Sequence, residues 1–169
     1  MESRVFWKTV TLDRSEFRDR LLAVLGEHRI RYCVVDGHAV NAYAEPVVSL
    51  DFGFVVAAEQ LPETERILRQ AFTVERFPHK LNVSSAGAGL RAQIQTDARY
   101  FPFVDRAVER EVLGVRVPVA ALEDVLQGKI ASKHLKDLSD IARLLEGHPQ
   151  LRARVPADVL SQLRQWSRP

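Results

Sequence analysis

The feature that most constrains the fold is a strand–turn–helix–strand unit in the first third of the chain. The apolar run at residues 32–35 is too short for a helix, so it predicts a buried strand that ends at Asp36-Gly37. Residues 38–44 are rich in alanine and predict a short helix that ends before Pro46. A second apolar strand is expected over residues 50–56. A helix enclosed between two buried strands indicates an α/β architecture.

The remaining hydrophobic pattern predicts strands in the middle of the chain and helices at its end. Further strands are expected over residues 5–10, 73–77, 80–85, 90–96 and 112–117, the last with a turn or bulge at Gly114. Helices are expected from an N-cap at Asp13 to near Gly26, from Pro62 to Ala71, along two apolar stripes over 122–130 and 135–145, and in a last hairpin that ends near Trp166. This order predicts an α/β (α+β) fold with a mixed sheet, flanking helices and a C-terminal helical cap.

The length of 169 residues favours one domain. We expect residues 1–118 to form the α/β part and residues 119–169 to form a helical region packed on it, as one compact unit. The hydrophobic content of 46% and charged content of 27% are typical of a globular protein. The single cysteine, Cys33, lies in the first apolar strand and is expected to be buried and reduced.

Composition also limits the partners. The N-terminal sequence lacks the apolar core of a signal peptide, and no apolar run reaches the roughly 20 residues needed to cross a bilayer. We therefore expect a cytoplasmic protein with no membrane partner. The net charge of +2 comes from interspersed charges of both signs, so it does not favour a nucleic-acid partner and leaves that question open.

Gly37 and Asp51 are the first candidates for chemistry. Gly37 follows a strand and precedes a helix, where a glycine lets the N–H groups of the helix N-terminus approach a phosphate closely. Asp51 lies on the next strand, and two carboxylates at positions i and i+2 of a strand share one face, where they can hold divalent cations. Such cations would bridge nucleotide phosphates and neutralise charge as the leaving group departs.

Residues 34–43 and 49–56 resemble the nucleotidyltransferase superfamily, especially the small bacterial minimal and abortive-infection-type nucleotidyltransferases. The resemblance continues through residues 89–97, 122–129 and 136–141. It implies a nucleotidyltransferase-like mixed β-sheet with a C-terminal helical cap. Members of that family carry Gly-Gly or Gly-Ser at the helix start, Asp-x-Asp on the next strand, and a third acidic residue on a later strand.

The chain departs from that family pattern at three positions. Asp51 matches the first carboxylate, but its partner position holds Gly53 and the third acidic position holds Gln93. Asp36 replaces the first glycine of the pair. Two of the three expected carboxylates are therefore missing, and the resemblance implies that Mg²⁺ binding is weak or lost and that catalysis is impaired.

Asp36 and Asp51 each have two interpretations. As an N-cap, the Asp36 carboxylate would accept hydrogen bonds from the N–H groups of residues 38 or 39 and stabilise the helix by about 1 kcal/mol. As a relocated ligand, it would hold a metal together with Asp51. Asp51 is either a residual catalytic and metal-binding carboxylate, or a relic held by neighbouring N–H groups or an arginine.

Five residues are candidate nucleotide contacts: Gly37, His38, Gln93, Lys129 and Lys136. His38 follows Gly37 and would either contact a phosphate or lie on the helix surface. Lys136 belongs to a Lys-Asp-x-x-Asp block that, by the resemblance, fastens the helical cap and approaches the nucleotide. Lys136 and Asp140 are four residues apart, so the spacing also predicts an exposed ion pair.

Three functional hypotheses follow. The first is a nucleotidyltransferase-fold protein with a degenerate site that acts by binding a nucleotide or a protein partner. The second is an active metal-dependent nucleotidyltransferase with a rebuilt site, which transfers AMP or CMP to RNA or protein in a toxin-like manner. The third is a non-enzymatic interaction module of a toxin–antitoxin type. We favour the first, because Gly53 and Gln93 stand where the resemblance implies two of the three carboxylates.

Overall fold

The computed structural model describes residues 16–49, 51–132 and 135–166. The strand predicted at residues 5–10 and the N-cap predicted at Asp13 lie outside these residues. The strands are β1 (Tyr32–Val34), β2 (Asp51–Val56), β3 (Thr73–Phe77), β4 (Lys80–Ser84), β5 (Arg91–Gln95), β6 (Val108–Val112) and β7 (Val115–Val119). The helices are α1 (16–27), α2 (Asp36–Tyr43), α3 (Leu61–Ala71), α4 (Leu122–Ser132), α5 (Leu135–Gly147) and α6 (Ala157–Trp166).

The described strands form one seven-stranded mixed sheet in the order β3-β4-β5-β2-β1-β7-β6. β2 pairs with β5 in parallel and with β1 in antiparallel orientation. The register places Asp51 beside Arg91 and Gly53 beside Gln93. Because alternate residues of a strand share a face, these four residues lie on one face of the sheet. The prediction of an α/β fold with a mixed sheet is confirmed.

The opposite face of the same strands is apolar and forms part of the core. Phe52 and Phe54 of β2 and Ile94 of β5 are almost completely buried. α1 contributes to the core through Phe17, whose ring packs edge-on against Phe72 at a centroid distance of 5.5 Å. β2 and β5 therefore have one polar face and one apolar face, which places a polar site on a face of the sheet and not at its edge.

The strand predicted at residues 112–117 is wrong in its bounds, because the chain reverses direction within it. β6 and β7 form a hairpin in which Leu113 and Gly114 have φ angles of 53° and 79°. Two consecutive residues in the left-handed region are typical of the two-residue turns that join twisted antiparallel strands. β6 itself was not predicted, since it is a mostly exposed edge strand with alternating charges and no apolar run.

Helices α4 and α5, which follow β7, contact α2. Arg143 of α5 donates hydrogen bonds to Asn41 Oδ1 at 3.1 Å and to the carbonyl oxygen of Glu45. These bonds hold the end of α2 and the following loop against α5. No helix within residues 16–49, 51–132 and 135–166 is both long enough and apolar enough to cross a bilayer.

Candidate functional site

A cleft of about 890 Å³, here named the main cleft, opens over the polar face of the sheet beside the start of α2. It brings together residues from β2, β4, β5 and the helices that follow β7. Most of the predicted site residues line it: Asp36, Gly37, Asp51, Gln93, Lys129 and Lys136. Segments separated by more than eighty residues in the sequence therefore meet in one place.

The Asp36 side chain lies over Gly53 and occupies the space that a side chain at position 53 would need. A Cβ atom added to Gly53 would lie 2.5 Å from Asp36 Oδ2 and 3.2 Å from Asp36 Cβ. Real Cβ atoms do not approach as close as 2.5 Å, so a side chain fits at position 53 only if the Asp36 carboxylate moves. The carboxylate of the first residue of α2 thus occupies the space where a side chain on β2 would lie.

The N-cap interpretation of Asp36 is wrong. Val35 occupies the N-cap position, and no side chain caps this helix end. Asp36 itself has a φ angle of 60°, in the left-handed region that glycine adopts freely, and its carboxylate accepts a hydrogen bond from Gln95 Nε2 at 3.0 Å. The backbone therefore keeps a glycine-like conformation, while the side chain points across the sheet to β5.

Burial raises the pKa of the Asp36 carboxyl group above its ordinary value. The positive charge of Lys129 and the hydrogen bond from Gln95 act in the opposite direction, but desolvation is the larger effect. This carboxyl group therefore resists ionisation more than an exposed aspartate does. A group that holds its proton more tightly is a poorer ligand for a divalent cation.

Asp51 has features of both interpretations: it lies in a cleft, as a metal ligand would, and it has an arginine partner. It lines the main cleft with 45% of its side chain exposed, and Arg91 Nε donates a hydrogen bond to its Oδ1 at 3.3 Å. The partner arginine follows from the strand register, which pairs these two positions on β2 and β5. Arg91 thus already balances the charge that a metal ligand would offer.

Lys129 lies at the inner end of the main cleft in a buried ion-pair network. Its Nζ atom lies 3.2 Å from Asp137 Oδ1 and 3.0 Å from Asp140 Oδ2. Burial acts to lower the pKa of Lys129, but the hydrogen bond and charge of Asp140 outweigh burial and raise it. Lys129 therefore remains a cation that ties α4 to α5.

The predicted exposed ion pair between Lys136 and Asp140 is wrong. Asp140 is 4% exposed and pairs with Lys129 and with Arg143, whose Nη1 lies 3.1 Å from Asp140 Oδ1. The helical spacing was correct, but the aspartate faces α4 and not solvent. Lys136 is exposed and lines the main cleft.

Sequence reasoning missed several residues of the main cleft: His79, Lys80, Gln95, Arg99 and Tyr100. Gln95 had a signal, because it lies two residues beyond Gln93 on the same strand and must share its face. The others come from a turn, an adjacent strand and a 3₁₀ segment (Ala98–Phe103), and no motif marks these positions.

No family model matches the chain, and no curated protein matches it in sequence. Solved structures match it along most of its length. The solution structure of the antibiotic-resistance factor ANT(2'')-Ia superposes with a TM-score of 0.60 at 15% identity, covering 94% of this chain and 90% of that one. The lincosamide antibiotic adenylyltransferase LnuA, bound to lincomycin, gives 0.55 at 14% identity, with 74% and 92% covered.

An antigenic nucleotidyltransferase-like protein from Paracoccidioides brasiliensis gives a TM-score of 0.53 at 15% identity, covering 87% of this chain and 86% of that one. The chain has the nucleotidyltransferase fold. This confirms the fold that the resemblance implied.

Within this nucleotidyltransferase fold, the residues present do not fit a centre of two magnesium ions. No cluster of three or more histidine, cysteine or acidic side chains suited to a metal occurs among the residues described. Asp51 is paired with Arg91, Asp36 has a raised pKa, and positions 53 and 93 carry no carboxylate. Two Mg²⁺ ions need more negative charge than this cleft supplies.

His38 lies apart from the other candidates. It is 2% exposed, packs against Phe52 at a ring centroid distance of 5.6 Å, and lines a second pocket beside the main cleft. The expectation of a histidine on the helix surface is therefore wrong, because the first turn of α2 packs directly on β2. Contact between His38 and a phosphate stays a prediction. The burial of His38 outside the lining of the main cleft does not favour it.

Proposed function

We propose that the main cleft binds a phosphate-bearing ligand, with a nucleotide as the leading candidate, without two-metal catalysis. One observation carries this proposal: the Asp36 side chain fills the space over Gly53. Positions 53 and 93, where the resemblance implies carboxylates, hold Gly53 and Gln93. ANT(2'')-Ia and LnuA are similar to this chain in fold only. The nucleotide is therefore part of our proposal and not a finding from those structures.

The charges of the main cleft support an anionic ligand. Three of its carboxylates have cationic partners: Asp51 with Arg91, Asp97 with Arg99 at 3.0 Å, and Asp137 with Lys129. Lys80 and Lys136 also line the cleft, and neither has a salt bridge within the described chain. Asp36 is the remaining carboxylate of the lining, so these two lysines leave the cleft positive even when Asp36 is ionised.

The start of α2 provides the second element of an anion site. Gly37 lines the main cleft, and a Cβ atom there would lie 2.8 Å from Ser49 Oγ. Ser49 would therefore have to shift to admit a side chain at position 37, in the first turn of α2. N–H groups at a helix N-terminus point outward and favour negative charge, so a phosphate fits beside Gly37.

The test is a calorimetric titration of ATP and of CTP, each with Mg²⁺ and with EDTA. We expect the same affinity in both buffers and no steady transfer of labelled nucleotide. Lys136→Gln should weaken binding about tenfold, since a hydrogen-bonded charge contributes roughly 1.5–3 kcal/mol. Arg164→Gln on α6 removes the same charge far from the cleft and serves as the control. Binding that requires Mg²⁺, with transfer abolished by Asp51→Ala, would contradict the proposal.

A rebuilt metal site is the second candidate, and the same observation favours it. Asp36 and Asp51 place two carboxylates in one cleft, so a single ion between them would restore part of the lost charge. Electron paramagnetic resonance of Mn²⁺ separates the two proposals: ordered binding that is lost in Asp36→Asn supports the rebuilt site. A partner-binding role of the toxin–antitoxin type stays a prediction that no described contact addresses.

A further inference from the structure

Arg91 and Gln93 lie two residues apart on β5 and share the polar face of the sheet. The register places them beside Asp51 and Gly53 of β2. Gln93 lines the main cleft, and Arg91 contacts Asp51, which lines it as well. Alternate residues of a strand are about 6.5 Å apart, so the side chains of Arg91 and Gln93 can reach one phosphate group.

The guanidinium group of Arg91 is only partly used by the fold. Its Nε atom donates to Asp51 Oδ1 at 3.3 Å, and in the described part of the chain Nη1 and Nη2 have no partner. The side chain of Arg91 is 49% exposed, so these atoms are open to a ligand. A guanidinium group binds phosphate through two parallel N–H···O bonds. The free edge of Arg91 can therefore hold a phosphate while Nε stays on Asp51.

The side-chain amide of Gln93 is free as well. Gln95, on the same face, donates to Asp36 Oδ2 at 3.0 Å, whereas the Gln93 amide has no hydrogen-bond partner among the residues described. Gln93 is partly buried and lines the main cleft. Its amide N–H can donate to a phosphate oxygen, whereas a carboxylate at this position would repel one. Position 93 therefore suits direct contact with an anion.

Ser49 connects this part of the cleft to the start of α2. Its Oγ atom donates to the carbonyl oxygen of Asp51 at 3.3 Å, and a Cβ atom added to Gly37 would lie 2.8 Å from the same Oγ atom. Gly37 and Asp51 therefore lie on either side of one small side chain. A phosphate beside Gly37 is consequently within reach of Arg91, which Asp51 holds at the same end of β2.

We propose that Arg91 and Gln93 bind the phosphate of the ligand directly and take the place of a divalent cation. This inference rests on the proposed function, because it assigns the contacts of the same ligand in the main cleft. Asp51 is then a positioning residue, which holds Nε of Arg91 and leaves Nη1 and Nη2 for the phosphate. The ligand class that fits is a phosphate ester free of metal, since the protein itself supplies the cation.

Calorimetric titration of ATP in EDTA tests the two contacts one at a time. Arg91→Gln and Gln93→Glu should each weaken binding about tenfold. Arg164→Gln and Gln162→Glu make the same changes at exposed positions of α6 and should leave the affinity unchanged. Inorganic pyrophosphate, which has no base or sugar, should show the same pattern. Wild-type affinity in both β5 variants would overturn this inference alone, whereas no binding of either probe by the wild-type protein would overturn the proposed function as well.

The second experiment uses Mn²⁺ without a nucleotide, so its result does not depend on which phosphate ligand the cleft takes. Arg91 occupies Asp51 in the wild-type protein, and electron paramagnetic resonance should show little bound Mn²⁺. The double variant Arg91→Gln/Gln93→Glu frees Asp51 and adds a carboxylate, so it should bind Mn²⁺ about tenfold more tightly. Arg91→Gln alone should show a smaller gain, which keeps the test valid if the double variant does not fold. A purely structural role for Arg91 predicts a loss of stability without this gain, and equal Mn²⁺ affinity in all three proteins would overturn the inference.

Discussion

At the scale of single residues, the exchange between positions 36 and 53 decides what the main cleft can do. The family that the sequence resembles has glycine before the helix and a carboxylate on the strand, whereas this chain has Asp36 and Gly53. The structure explains why both changes occur together, since Asp36 Oδ2 occupies the space of a Cβ at position 53. A side chain at position 53 therefore fits only where Asp36 is absent or displaced, whereas glycine at position 53 fits with either residue at position 36.

Gly53→Asp alone should therefore destabilise the protein by about 2–3 kcal/mol, through overpacking and through a second acidic group beside Asp36. Adding Asp36→Gly should recover most of that loss, because glycine adopts the φ angle of 60° without strain and empties the space. Urea unfolding of the two single variants and the double variant gives the coupling free energy. A coupling near zero would show that the two positions are independent.

The raised pKa of Asp36 makes stability depend on pH. Above about pH 4 the unfolded chain releases this proton while the folded protein retains it, so the free energy of unfolding falls as pH rises, until the folded-state pKa is passed. Asp36→Asn keeps a similar shape and cannot ionise. We expect the variant to gain stability relative to wild type as pH rises from 4 to neutral, measured by urea unfolding. Asp158→Asn, at an exposed residue of α6, should change little over the same range.

The sequence correctly predicted that Asp36 lies at the start of α2, but the hydrogen-bond partner predicted for its carboxylate was wrong. An aspartate before a helix is ordinarily an N-cap, and that rule assumes an extended backbone. The left-handed backbone of Asp36 comes from the tight turn between β1 and α2, which only the packed structure reveals. The alternation of the strand was enough to assign Asp51 a face, but its partner Arg91 follows from the register of β2 and β5, which only the structure gives.

At the scale of secondary-structure elements, the junction between α4 and α5 depends on one buried cation. Lys129→Met should leave Asp137 and Asp140 without that partner in a buried site. Breaking a buried ion pair in this way costs about 3–5 kcal/mol. Thermal or urea unfolding measures the loss, and Lys80→Met, at a lysine without a salt bridge in the described residues, is the matched control. A loss below about 1 kcal/mol would mean that α4 and α5 are held by apolar packing alone.

Helices with a clear hydrophobic period could be predicted from the sequence. Strands without a hydrophobic pattern, whose position depends on pairing with another strand, could not. α3 and α5 have apolar stripes, and the structure places them within a residue or two of the expected bounds. A turn or bulge at Gly114 was predicted, but the strand that precedes it, β6, was missed, so the turn was not recognised as that of a hairpin. The strand pairing that supports this turn involves polar, exposed positions, which leave no hydrophobic pattern.

At the scale of the whole molecule, the fold could be predicted because several weak blocks occur in the right order. A strand, a glycine turn, a helix and an acidic strand fix the centre of the nucleotidyltransferase fold, and the later helices complete the main cleft. The function depends on only a few side chains within that frame. The fold persists with a glycine at position 53, whereas the charge of the site changes with each carboxylate gained or lost.

This separation of fold from charge leads to a prediction for the whole molecule. The triple variant Asp36→Gly/Gly53→Asp/Gln93→Asp should carry three carboxylates on one face, since positions 53 and 93 are paired in the register and Asp51 lies two residues from position 53. Without metal, their mutual repulsion should make the variant less stable than wild type. Millimolar Mg²⁺ should then raise its melting temperature by several degrees, because a ligand present at about a hundred times its Kd adds about 2.7 kcal/mol.

Wild-type protein should show no such rise with Mg²⁺, since its cleft lacks the charge that the triple variant supplies. Differential scanning calorimetry of both proteins, with Mg²⁺ and with EDTA, makes the comparison in one experiment. A rise in the wild type as large as that in the triple variant would mean that Asp36 and Asp51 already hold a metal ion. Because each protein is compared with itself in Mg²⁺ and in EDTA, the effects of the substitutions on packing cancel, and the rise in melting temperature reports metal binding.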